Sequence, residues 1–274
     1  MKTRLFPLFK SSVCSPSVLA ASIAALVGSH SAQANTTNNF FQNSAMVTAT
    51  NYSTGALPTA TDDVVLTTVS LTPSINASTA IVFGSLDVLN GSAYTIANNS
   101  SVTNSTFKLG SATLANAQIG AAAADLIYLS NNSNLTITGT NTAATPRTLG
   151  LVLGGSGNFN VNSGSTLNIS AAITGAFVLT KTGVGALTLG GTVNPSAGLV
   201  INDGTVTMTL NNATSQALLT VNSPGILNFN NGQIFGVLNG NGTINENGNF
   251  LYTILPRIMI CDLGRTGNSM LTGF

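Results

Sequence analysis

The sequence predicts an all-β solenoid: a parallel β-helix of short strands. Three observations carry that expectation. Runs of four or five residues rich in Val, Ile, Leu and Thr recur between Gly or Asn corners, the pattern of strands parted by tight turns. Charged residues are 5% of the chain and Gly numbers 28, so Asn, Thr and Ser supply the polarity that charge supplies elsewhere. The runs are too short for a membrane barrel, whose strands need about 9–11 residues. They suit coils that bury an apolar face only by stacking on their neighbours.

Taken in order, residues 1–34 read as a signal peptide. Lys2, Arg4 and Lys10 precede the apolar run Val18–Val27, and Ala32-Gln33-Ala34 is a small-x-small cleavage site. That run is too short to cross a bilayer as a stable helix. The mature chain is expected to start at Asn35 after passage through the Sec export machinery. Cys14 lies before the apolar run and Cys261 stands alone near the end. No disulfide framework or zinc site can be drawn from them.

Residues 35–61 are polar and weakly patterned, with Phe40, Phe41 and Tyr52 as isolated aromatics. They read as a leader that caps the first coil, because an open solenoid end exposes core. Residues 62–250 carry the repeat. Asp62–Leu66 is the first strand expected, Ala80–Val88 holds the next two, and Ala93–Ile96, Thr106–Leu109 and Leu126–Leu129 follow. Ala115–Asp125, with four consecutive alanines, is the one helix-friendly run and reads as an excursion between coils. Asn134–Thr138 alternates as a half-buried strand should, followed by Leu149–Leu153, Gly157–Val161 and Ser165–Ile169.

Next come Val178–Lys181 and Ala186–Leu189, joined by the turn Gly183-Val184-Gly185, then a Pro-bearing turn and Leu199–Ile201. Leu218–Val221, Ile226–Phe229, Gln233–Phe235, Val237–Leu238 and Gly242–Ile244 complete the series. Coils of about 20–25 residues give on the order of eight between Asp62 and Asn249, a rod some 40 Å long at about 4.8 Å per rung. Asn202, Asn222, Asn228 and Asn230 are candidates for stacked amide ladders, although tolerance of turn geometry also accounts for Asn at corners. Residues 251–274 lose this rhythm and read as an atypical tail, outside the repeat and of shifted reading frame or disordered.

Phe177–Val206 resembles the autotransporter-associated β-strand repeat of bacterial passenger regions. The resemblance rests on Leu179-Thr-Lys-Thr-Gly-Val-Gly-Ala-Leu-Thr-Leu189, Gly191 and Leu199-Val-Ile-Asn-Asp-Gly-Thr-Val206. Thr220–Phe229 and Gly236–Ile244 are similar to that family's flanking phrases. The resemblance implies a right-handed β-helical passenger displayed at the outer membrane or released from the surface of a Gram-negative cell. Such proteins end in a membrane barrel, which this sequence lacks, so the chain is expected to be truncated before its translocator.

The chemistry expected is sparse. Between Asn35 and Phe250 the bases are Lys108, Arg147 and Lys181, and the acids are Asp62, Asp63, Asp87, Asp125, Asp203 and Glu246. Nucleic-acid binding needs clustered Lys and Arg, which are absent. The acids are scattered except Asp62-Asp63, whose side chains point to opposite faces of an extended strand. Lys181 reads as a solvated corner. His30, the only histidine, lies in the signal peptide, which removes serine catalysis through a histidine base. Gly154-Gly155-Ser156-Gly157-Asn158 approaches a calcium-binding nonapeptide but has Asn where a ligand carboxylate belongs. No catalytic, cofactor-binding or metal-binding residue is therefore assigned.

The function expected is a secreted or surface-exposed structural or adhesive passenger, non-catalytic, touching host or neighbouring-cell glycans or proteins. The rival is a β-helical polysaccharide-degrading enzyme acting through Asp62, Asp63 or Asp125. A third reading is a fragment with no independent function.

Overall fold

The computed structural model describes residues 37–41, 45–67, 74–75, 81–100, 103–111, 116, 120–140, 146–195, 197–209, 215–229, 234–246, 251–252 and 265–266. The signal-peptide expectation and Asn230 lie outside these. The strands form three all-parallel sheets that run along one solenoid, so the β-helix expected from the sequence is the fold. The first sheet stacks Thr37–Phe40, Asp62–Leu66, Ser85–Val88, Asp125–Leu129, Gly157–Val161, Val178–Thr182, Gly198–Ile201, Ser215–Val221, Ile234–Asn239 and Leu251–Tyr252. The second stacks Ser74–Ile75, Ala93–Asn98, Asn134–Ile137, Thr166–Ile169, Ala186–Leu189, Thr205–Met208, Ile226–Phe229, Thr243–Glu246 and Arg265–Thr266. The third holds Ile81–Phe83, Ser105–Leu109, Leu149–Leu153, Ala172–Gly175 and Val193–Pro195.

Apolar residues alternate inward on each strand and meet apolar residues on the rungs above and below. In the second sheet Tyr94, Leu135, Leu167, Leu187, Val206 and Leu227 stand in one register column, all buried. Eight strands of the first sheet lie between Asp62 and Asn249, the number expected. Coil lengths are uneven at first: Leu86 to Ile127 is 41 residues and Ile127 to Phe159 is 32. They become regular later, with Leu179 to Leu199 and Leu199 to Leu219 each 20.

Several local expectations are revised. The first rung starts at Thr37, which pairs with Asp62, so part of the polar leader is a strand. Just after it, Phe41 and Tyr52 are buried and pack in sequence with Phe83 and Phe107, ring centroids 5.1–6.4 Å apart. This aromatic file is part of the buried core of the first coils. The described part of Ala115–Asp125 before its strand is a turn-rich loop, as an excursion between coils would be: Asn116 N–H donates to Ala123 O at 2.8 Å. Val193–Pro195, read as a turn, is a strand on Ala172–Gly175. Pro195 is tolerated at the strand's end because its missing N–H removes only a terminal hydrogen bond. The described parts of the tail, Leu251–Tyr252 and Arg265–Thr266, pair with Ile234–Phe235 and Ile244–Asn245.

The repeat phrase is explained by its glycines. Gly183 and Gly204 have φ of +72° and +66°. A Cβ on Gly183 would lie 2.5 Å from Val161 O, and one on Gly204 would lie 2.5 Å from both Gly183 O and Gly185 O. Only Gly allows one turn to nest on the next. Leu187→Ala, in the centre of the second-sheet column, is expected to cost about 2–5 kcal/mol, read as a lower urea midpoint with an unchanged slope.

Candidate functional site

The chemistry-bearing side chains lie in two places, neither of which the sequence reading located. The first is on the outward side of the first sheet. Most strands bury alternate residues, but Asp62–Leu66, Ser85–Val88 and Asp125–Leu129 are buried on nearly every residue. Both faces of these strands are covered. The segment before Asp125 lies over them: its Asn116 side chain donates to Asp87 Oδ1 at 2.7 Å and to Asp125 O at 3.3 Å.

Beneath this cover three acids of successive rungs gather in a staggered cluster: Asp63 pairs with Ser85, and Asp87 with Val65 and Tyr128. Asp63, Asp87 and Asp125 are each 0% exposed. The Ser85 hydroxyl donates to Asp63 Oδ1 and stands 3.3 Å from Asp87 Oδ2. Asp125 accepts from Ala122 N–H at 2.8 Å, from Asn158 Nδ2 at 2.9 Å and from Asn160 Nδ2 at 2.8 Å. Burial pushes the Asp87 carboxyl well above the usual range. The Asn116 hydrogen bond opposes that shift, while the nearby Asp63 and Asp125 carboxyls reinforce it.

Asp62 and Asp63 face opposite ways, as expected. Asp62 Oδ2 caps a turn instead, accepting from Thr59 N–H at 2.7 Å and Thr59 Oγ1 at 2.8 Å. The expectation that the remaining acids are scattered is corrected: coiling brings Asp63, Asp87 and Asp125 together from distant parts of the chain. The available signal was an acid inside each continuously apolar run, since such runs mark strands covered on both faces.

The second place is Lys181. It is not a solvated corner: it is 0% exposed. It shares parity with the core residue Leu179 and stands between Phe159 and Ile201 in an inward column. Its stem occupies the place of an apolar side chain, and its head reaches the turns. Lys181 Nζ donates to Thr182 O at 2.8 Å, Gly183 O at 2.5 Å and Asp203 O at 3.3 Å. Burial lowers its pKa to about 8, against a smaller opposing pull from Asp203.

At the corners Asn222 Nδ2 donates to Asn202 Oδ1 at 2.8 Å, and on the strands of the second sheet Asn245 Nδ2 donates to Asn228 Oδ1 at 2.9 Å. The amide ladders are therefore present at three of the four candidate asparagines, beyond mere tolerance of turns. Among the described residues no group of three or more His, Cys, Asp or Glu is arranged to hold a metal ion, and no helix is long and apolar enough to cross a membrane. No family model, curated protein or solved structure matches the chain.

These two places give opposite pH signatures. The raised Asp87 pKa contributes stability that is full below the unfolded carboxyl value of about 3.9 and is lost as pH rises through the folded value. Asp87→Asn, which keeps the shape and the neutral charge, is expected to flatten that decline in urea midpoints measured from pH 4 to 8. Lys181 has a folded value of about 8, below the unfolded value of about 10.4. Between them the unfolded chain binds more protons, so stability rises with pH. Lys181→Met is expected to abolish this alkaline gain while keeping the stem's packing.

Proposed function

We propose that this chain is a non-catalytic structural and adhesive β-helical segment of an exported bacterial surface protein of the autotransporter type. The observation that supports this most is how the repeat phrase is used. Leu179–Val206 supplies stacked rungs in a 20-residue register, and its only cation is committed to backbone carbonyls inside the solenoid. Length and surface come from such a design. The signal-peptide pattern at residues 1–34 and the resemblance of Phe177–Val206 point to export and display.

One observation favours the glycan-cleaving alternative: three carboxyls lie close together. They are fully buried and tied into Ser85, Asn116, Asn158 and Asn160, whereas an acid and base pair must reach the bond that it cleaves. The cluster fits a structural role better.

Expression of the full chain in a Gram-negative host tests the proposal. The purified mature protein is expected to give a β-rich circular dichroism spectrum, and the chain on intact cells is expected to be cut by added protease. A helical spectrum, or complete protection on intact cells with cutting only after lysis, overturns it. Turnover of a glycan that is abolished by Asp63→Ala and Asp125→Ala decides for the enzyme.

A further inference from the structure

The outer face of the second sheet is neutral and evenly ruled. Thr95, Thr136, Asn168, Thr188, Thr207 and Asn228 stand in register on six successive rungs, and Asn245 adds a seventh. Two residues away along each strand runs a second column, which includes Asn134, Thr166, Thr205 and Thr243 and otherwise carries Ala or Ile. Every one of these fourteen positions is half-buried or exposed, and none is charged or aromatic. The first sheet differs: the acid cluster and its cover occupy the outside of its N-terminal rungs.

This face excludes several partners. Nucleic acids and acidic glycans call for Lys and Arg. Tight protein interfaces centre on Trp, Tyr or Arg anchors. What the face offers is hydroxyls and amides, which both donate and accept, interleaved with the methyls of Thr. Thr is stiff at χ1, so little side-chain freedom is lost on binding. Some amides are already oriented, as Asn245 on Asn228 shows. Rungs recur at about 4.8 Å, so seven span about 29 Å. One rung is close to the length of one sugar in an extended β-linked chain.

We infer that the second sheet's outer face binds an uncharged, extended β-linked polysaccharide laid along the solenoid axis, one sugar to a rung. The inference rests on the adhesive reading and names its ligand class and its surface. Sugar hydroxyls exchange hydrogen bonds with the Thr and Asn columns, and the methyls cover the ring faces. Neutral contacts of this kind are insensitive to salt, unlike those of a charged site.

The test is co-sedimentation of the full mature chain with insoluble cellulose and chitin, with an anionic polysaccharide for comparison. The triple variant Thr136→Val, Thr188→Val, Thr207→Val removes three hydroxyls at constant shape. Thr188→Glu puts a charge in the middle of the face. The double variant Thr180→Val, Thr220→Val does the same on the outer face of the first sheet as a control. The melting temperature and the β spectrum confirm that each variant folds. The expected result is retention of the wild type on a neutral polymer at low and high salt, a tenfold or greater loss for both second-sheet variants, and none for the control. Equal retention of all variants overturns the assignment of the face. Preference for the anionic polymer, or no retention on either neutral one, overturns the ligand class. In those cases the adhesive reading still stands if protease reaches the chain on intact cells, and it falls separately if protease does not.

Discussion

Everything in this molecule depends on one constraint: a coil has no core of its own and must borrow one from the coils above and below. A strand of four residues turns two side chains inward, and those are shielded only when the next rung sets matching residues over them. The register columns record how strictly this is met, with apolar on apolar through Leu135, Leu167, Leu187, Val206 and Leu227. The same constraint accounts for the scarcity of charge. An outward Lys or Asp repeated from coil to coil would face its own kind about 4.8 Å away. Thr and Asn avoid this because each can donate to a neighbour and accept from another, as Asn222 does with Asn202.

The buried ionisable groups are exceptions to that economy, and each is accommodated differently. Lys181 occupies a core place with its stem and satisfies its head on turn carbonyls that the positive-φ glycines bring together. The acids of the first sheet, where burial raises the Asp87 pKa, draw amide donors from Asn116, Asn158 and Asn160. Both arrangements link residues on different coils. A slip of one residue would leave a buried carboxyl or ammonium without its partners, at a cost well above that of a misplaced methyl.

The strands themselves were readable in the sequence because Gly and Asn punctuate β-favouring runs so regularly. Val178–Thr182, Ala186–Leu189 and Ile226–Phe229 sit where the pattern puts them, within a residue. What the pattern hid was three-dimensional. Alternation alone sets Lys181 on the side of Leu179, yet its charge argued for the surface, and burial of the long stem decided otherwise. Asp87 and Asp125 are 38 residues apart in the chain, and only the coiling and the loop at Asn116 bring them under one cover. The alanines before Asp125 suit a helix in isolation, but Ala122 N–H caps onto Asp125 and Asn116 bonds to Asp87 and Asp125, so local and tertiary hydrogen bonds override helix preference.

The even coil length near the repeat phrase carries one more implication. Because Leu179, Leu199 and Leu219 are equally spaced and lie directly over one another, a whole coil of this part can be lost or duplicated without a seam. The neighbours that close the gap set Leu over Leu, while Lys181 keeps its bonds to Thr182 O and Gly183 O within its own coil. The early coils, with their long excursions and their tailored acids, offer no such interchange. The rod can thus vary in length over generations at one end while its founding end stays fixed.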